Sequence, residues 1–219
     1  MVLVGGAVYA GRNIVTSIQA AQQKDERCKA ETAYAAEHGS VIEAATGKTD
    51  VVILGDSYTT GEFLTDRSKG WAYQVGQGKD WALKLNGVGG TGFVNPGPCG
   101  SQAYSDRIAR TLTLKPQVLI VEGGLNDANA TPADIQAGAR LVLKQASEVP
   151  TVIVVGPAAP PTVKDYAAID QALSEAATAE GRQYISALDW DLEFLPDGLH
   201  LTEASHAEFA SNVARQLRL

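Results

Sequence analysis

The stretch "VVILGDSYTTG", residues 51–61, decides the reading of the chain. Val51, Val52, Ile53 and Leu54 form an unbroken apolar run that stops at Gly55. Such a run suits a strand buried on both faces, as in a parallel sheet. Gly55 permits a tight exit, and Ser57 follows near the start of a helix. There, free N–H groups and the helix dipole favour developing negative charge. Taken alone, Asp56 or Ser57 reads first as an N-cap, because Ser and Asp are common caps. The spacing is not the G-x-S-x-G nucleophile elbow: Thr59 stands where its second glycine belongs, and the next glycine is Gly61.

The same pattern recurs downstream. "WALKL" (81–85) runs into Asn-Gly, "VLIV" (118–121) into Glu-Gly-Gly, and "VIVV" (152–155) into Gly-Pro; "YISAL" (184–188) is a weaker fifth run. Helical patterns lie between the later runs. Thr131-Pro132-Ala133-Asp134 reads as a capped start with proline at the first helical position. Ile135, Ala139, Val142 and Ala146 then share a face. Tyr166, Ile169, Leu173 and Ala176 mark the next helix, and Phe209, Val213 and Leu217 the last. Strands alternating with helices predict an α/β domain with a doubly wound parallel sheet and right-handed crossovers.

The chain has 219 residues, 45% of them hydrophobic and 20% charged, which suits a globular domain able to bury a core. A net charge of −7 without any Lys/Arg run argues against nucleic acid as a partner. Cys28 and Cys99 lack the paired spacing of a zinc site. The opening "MVLVGGAVYAG" is apolar, too short to span a bilayer and without a basic n-region. It reads either as the tail of a membrane anchor or export signal, or as an apolar end packed on the body. In an oxidising compartment the two cysteines are able to pair. From Asn13 to Ala45 the composition predicts an appended helix, with Ile14, Ile18, Ala21, Cys28 and Ala35 as a weak stripe. The expected division is therefore an N-terminal segment and helix, 1–45, followed by the α/β domain, 46–219.

In open parallel sheets, ligands bind beyond the carboxyl ends of the strands. After the second strand comes Gly87-Val88-Gly89-Gly90-Thr91-Gly92, which matches the dinucleotide pattern G-x-G-x-x-G. That pattern needs a helix at its end, and Pro96, Pro98, Gly97 and Gly100 forbid one. What remains is a loop whose glycine N–H groups approach a ligand closely. After the third strand, "EGGLNDA" (122–128) offers the Asn126 amide, although Asn-Asp is also a common turn. "GPAAPP" (156–161) reads as a wall or a connector. After the fifth strand stand Asp197 and His200. A carboxylate three residues before a histidine is placed to hold one ring nitrogen, as a general base requires. His206, on the apolar stripe of the last helix, reads as a structural core histidine. Nucleophile, base, orienter and oxyanion donors are the parts acyl transfer needs, and all fall at strand exits.

On these blocks the chain resembles the SGNH hydrolases, also called GDSL esterases and lipases. "GDSYTTG" is similar to the first block, with Tyr58 at the variable fourth position. "NGVGGTG" is similar to the second and "GGLND" to the third, with Gly124 and Asn126 in register. "DGLHLT" is similar to the last. The resemblance implies a three-layer α/β/α flavodoxin-like sandwich with five parallel strands in the order 2-1-3-4-5. It implies a Ser57, His200, Asp197 triad. The implied oxyanion hole is Ser57 N–H, Gly90 N–H and the Asn126 amide, with Gly89 as the alternative to Gly90. It calls for no metal and no organic cofactor. The expected activity is hydrolysis of carboxylic esters, with short acyl chains or O-acetylated carbohydrate as substrates. Two other readings remain at this point: an acyltransferase to carbohydrate on the same site, and a non-catalytic cell-surface binding module. Tyr58, Trp71, Phe93, Trp190 and Phe194 are the aromatics expected near the site, and "TGFVNPGPCG" (91–100) the loop expected to line it. An extracytoplasmic location is expected.

Overall fold

The computed structural model describes residues 5–219, with side chains from Ile18 onward. The apolar opening read as an anchor or export remnant lies outside the described residues in its first four positions, and outside the described side chains throughout. Among the described residues, seven α-helices and six strands run in the order α1 (Gly5–His38), β1 (Ile42–Ala45), β2 (Thr49–Gly55), α2 (Ser57–Thr60), α3 (Trp71–Gln74) and β3 (Trp81–Gly87). There follow α4 (Tyr104–Thr113), β4 (Val118–Glu122), α5 (Pro132–Gln145), β5 (Thr151–Val155), α6 (Tyr166–Ala179), β6 (Gln183–Ile185) and α7 (Glu203–Gln216).

The sheet order is β1-β3-β2-β4-β5-β6. From β3 to β6 every neighbouring pair is parallel. Those five strands, counted in chain order, stand as 2-1-3-4-5. The first expected strand is longer than its apolar run, and the fifth is shorter, ending at Ile185.

Ile42–Ala45 corrects the expected helix over 13–45. Gly39 ends α1 in the left-handed region, at φ +87°, and its N–H returns to the Ala35 carbonyl at 2.9 Å. After this break, half-buried Ile42 and Ala44 alternate with exposed Glu43 and Ala45. That two-residue period forms an antiparallel sixth strand on β3. Its alanines resemble a continuing helix only in composition.

Alternation within each strand divides the core. Val51, Ile53, Leu83, Ile120 and Ile153 face one layer, shared with Trp71 and with Phe209 of α7. Val52, Leu54, Leu119, Val121 and Val154 face the other, against α4, α5 and α6. At the start of α5, Thr131 Oγ1 accepts the Asp134 N–H and Pro132 takes the first helical position, where it forfeits no helical bond. Among the described residues, no helix is long and apolar enough to cross a membrane.

Candidate active site

The carboxyl end of β2 delivers Ser57. Asp56 caps α2, accepting the Tyr58 N–H at 2.9 Å, and Ser57 opens the helix. Thr60 Oγ1 donates to the Ser57 carbonyl, and Thr59 Oγ1 donates to buried Glu122 at 2.8 Å. The serine backbone is thus held from two sides.

His200 arrives from the loop before α7. Its Nε2 lies 3.1 Å from Ser57 Oγ, and its Nδ1 lies 2.6 Å from Asp197 Oδ2. The other carboxylate oxygen of Asp197 accepts the N–H groups of Leu199 and His200, at 2.9 and 3.0 Å. Desolvation acts to raise the Asp197 carboxyl. The His200 side-chain bond, the two N–H donors and the His200 charge outweigh it and hold the group below its ordinary range. Tyr58 Oη donates to the Leu199 carbonyl at 2.6 Å, tying α2 to the histidine loop.

The structure brings Ser57, Asp197 and His200 together as the sequence suggests. Among the described residues, the backbone N–H groups of Ser57, Gly89 and Gly90 have no hydrogen-bond acceptor. Asn126 is differently placed. Its Nδ2 donates to Asp56 Oδ2 at 3.0 Å and to the Thr91 carbonyl at 2.9 Å, so both amide hydrogens are engaged. Its neighbour Asp127 organises the wall of the site. Asp127 accepts the N–H groups of Phe93, Val94 and Asn95 at 2.8–2.9 Å, fixing the loop after the glycine cluster. Burial pushes Asp127 up against these three donors. Burial likewise pushes Asp56 up to about 7, opposed by the Tyr58 N–H.

Of the expected aromatics, Trp71 and Phe93 are core residues, and Trp190 packs edge-on against Phe209. Tyr58 is at the site as expected, its ring centroid 6.3 Å from that of His200, and Phe63 joins it there with a centroid distance of 4.2 Å. Sequence reasoning passed over Phe63; its only signal is a large apolar residue two positions after Gly61. Arg107 was missed too. It is buried in α4 and reaches Gly55 O, Asn86 O and Thr91 Oγ1 at 2.7–2.9 Å, joining β2, β3 and the glycine loop. Burial lowers it to about 10, so it stays charged at neutral pH. His206 is the structural histidine expected: buried, with Nδ1 accepting the Trp71 N–H at 3.2 Å. The loop 91–100 lines a cleft of about 340 Å³ facing α1, through Asn95, Gly97 and Pro98.

A parallel sheet in the order 2-1-3-4-5, with the serine at the exit of its first parallel strand, is the arrangement expected of the SGNH class of carboxylic ester hydrolases. The model described as the GDSL-like Lipase/Acylhydrolase family matches residues 53–208, and the chain belongs to that family. Solved structures carry the same fold. TesA is 20% identical with a TM-score of 0.65, covering 78% of this chain and 98% of its own. The aryl esterase of M. smegmatis is 20% identical with a TM-score of 0.63, covering 77% and 98%. Est24, a carbohydrate acetylesterase from Sinorhizobium meliloti, is 19% identical with a TM-score of 0.64, covering 77% and 98%. No curated protein sequence matches the chain.

Proposed function

We propose that the protein is a serine esterase acting through Ser57, His200 and Asp197 on short-chain esters, with O-acetylated carbohydrate among the candidate substrates. The observation that carries this reading is the chain of contacts from Ser57 Oγ to His200 Nε2, 3.1 Å, and from His200 Nδ1 to Asp197 Oδ2, 2.6 Å. His200 takes the Ser57 proton as Oγ attacks the ester carbonyl. Asp197 holds the ring in the tautomer that leaves Nε2 free, and stabilises the imidazolium. The carbon–oxygen bond of the ester breaks, and the departing alkoxide takes the proton from His200. Water then gives His200 a proton and attacks the acyl-enzyme, releasing the acid and restoring Ser57.

The oxyanion is assigned to Ser57 N–H and Gly90 N–H, both without acceptors, together with the Asn126 amide. Asn126 takes part by exchanging its Thr91 bond for the oxyanion as the intermediate forms. Ser57 and His200 are each 6% exposed, and Phe63 lies over the imidazole, which supports a small acyl group. The likeness to Est24 supports trying acetylated sugars. The Cys28–Cys99 disulfide supports an extracytoplasmic location, because such bonds persist in oxidising compartments.

The test is Ser57→Ala on p-nitrophenyl acetate, with a chain-length series and acetylated sugars on the parent chain. Turnover should fall by about 10⁴-fold or more, and a fluorophosphonate should label the parent but not the variant. Near-parental hydrolysis by Ser57→Ala rules the assignment out.

A further inference from the structure

We propose that α1, which lies outside the matched family region, is a working part of the site: Glu31 positions the oxyanion loop, and the Cys28–Cys99 disulfide keeps it there. This inference rests on the serine esterase reading above.

The glycine loop meets α1 through residues one turn apart. A Cβ added to Gly89 would stand 2.5 Å from Glu31 Oε1 and against the Glu62 carboxylate. The Gly89 N–H is near enough to the Glu31 carboxylate to favour its charged form. Arg27, one turn earlier, sets Nη2 3.1 Å from where a Cβ of Gly90 would stand. Gly90 itself has φ +73°, a conformation L side chains rarely adopt. With the Glu31 carboxyl set against Gly89, the neighbouring Gly90 N–H is assigned to the oxyanion. Burial raises Glu31 most, then the Glu62 charge, while Arg67, the Gly89 N–H and Arg27 act the other way. In either protonation state a carboxyl oxygen remains to accept the N–H.

The disulfide matters because, among the described side chains, little else holds α1 down. None of its described side chains enters either buried core. Its inward face is Cys28, Glu31, Tyr34 and Ala35, all half-buried, with the Arg67 guanidinium 3.8 Å over the Tyr34 ring. A helix burying so little apolar surface is weakly docked on its own. Cys99 lies in the loop that follows Gly90, so the cross-link fastens α1 to the segment that Glu31 touches. His200 is covered by Phe63, whereas α1 bears on the glycines; that placement suits positioning better than plugging.

The experiment compares the parent chain, Glu31→Ala, Glu31→Gln and Cys28→Ser/Cys99→Ser, all on p-nitrophenyl acetate below each variant's melting point. Glu31→Ala should lower kcat about tenfold or more with KM within about twofold, because a misplaced oxyanion donor acts on the transition state. Glu31→Gln keeps an acceptor oxygen and should retain at least about half of kcat. Reducing the parent, or removing both cysteines, should reproduce the Glu31→Ala defect, and reoxidation of the parent should reverse it. Adding Glu31→Ala to the cysteine variant should cost little more, since the two act through one contact. If the cysteine variant does not fold, the Ala/Gln pair alone decides. Unchanged kcat in Glu31→Ala, or a rise on reduction, overturns the inference while parental fluorophosphonate labelling at Ser57 leaves the esterase reading standing. A parent that neither labels nor hydrolyses overturns both.

Discussion

The Phe63 ring sits with its centroid 4.2 Å from the His200 imidazole, the two planes tilted by 43°. Phe63 holds φ +70° and remains 58% exposed. An L residue in the left-handed region costs about 1–2 kcal/mol. An exposed apolar ring does not recover that cost by burial, so its place over the base points to substrate contact and water exclusion. Phe63→Ala should raise KM for nitrophenyl butyrate about threefold to tenfold, the range expected for losing part of an apolar wall. Phe63→Gly should melt no lower than Phe63→Ala, because glycine accepts the backbone angle freely. Steady-state kinetics and thermal melting check both; a Gly variant markedly less stable than the Ala variant would contradict the strain argument.

Asp197 tests the histidine's orientation. Asp197→Asn preserves shape but removes the charge that selects the tautomer, and kcat should fall by about 10²–10⁴. The sign of the pH effect follows from the depressed carboxyl. The stability this pair contributes is present above the unfolded carboxylate value and is lost as pH falls through the lower folded value. The parent should therefore lose more stability than Asp197→Asn only in strong acid, below about pH 4. Kinetics at neutral pH and melting curves from pH 3 to 7 provide the readings.

Arg107 tests the scaffold beneath the glycine loop. Its guanidinium also donates to Gln102 O and Asn86 Oδ1, both at 3.0 Å. Arg107→Lys keeps a charge but has too few donors and the wrong fork to serve five acceptors. Each acceptor left buried and unpaired costs about 1–3 kcal/mol, so the variant should be destabilised by about 3 kcal/mol. Its kcat should fall as well, since Gly55 and Thr91 flank the site. Urea unfolding followed by kinetics below the midpoint separates the two effects; a variant as stable as the parent would remove Arg107 from this role.

The parallel strands were legible because Val51–Leu54 and Val118–Val121 are buried on both faces, which leaves a solid apolar run in the sequence. Strand order was not legible from periodicity; it came from the fold that the resemblance to the SGNH hydrolases implies. β1 was hidden because four residues with two alanines carry too little pattern to oppose an adjoining Ala-rich helix. At the site, Ser57 was legible because it follows β2 closely, and Asp197 and His200 because they stand three apart in the loop before α7. Arg107 was not, since a buried arginine in a helix resembles any exposed one until its partner, Gly55, is known to lie 52 residues away. Glu31 was hidden for the same reason: nothing local distinguishes it from the other charges of α1.

His206 yields a pH dependence of defined sign. Burial, then the nearby His200 charge, lowers it to about 4 from 6.5. Between those values the unfolded chain binds a proton that the folded chain does not, so stability rises with pH across the window and is lost as pH falls through it. Asp56 and Glu122 act oppositely: their raised carboxyls stay protonated when folded, and their contribution declines as pH climbs. Comparing the parent with His206→Asn cancels those two groups, because both chains carry them. Asparagine offers an oxygen for the Trp71 N–H, so the variant should fold, with a modest loss at neutral pH. From pH 7 to pH 5, the stability advantage of the parent should shrink by about 2 kcal/mol. Urea unfolding at both pH values measures it. A gap that stays constant would mean that His206 keeps an ordinary proton affinity and is not sealed in the core beneath Tyr58 and Trp71.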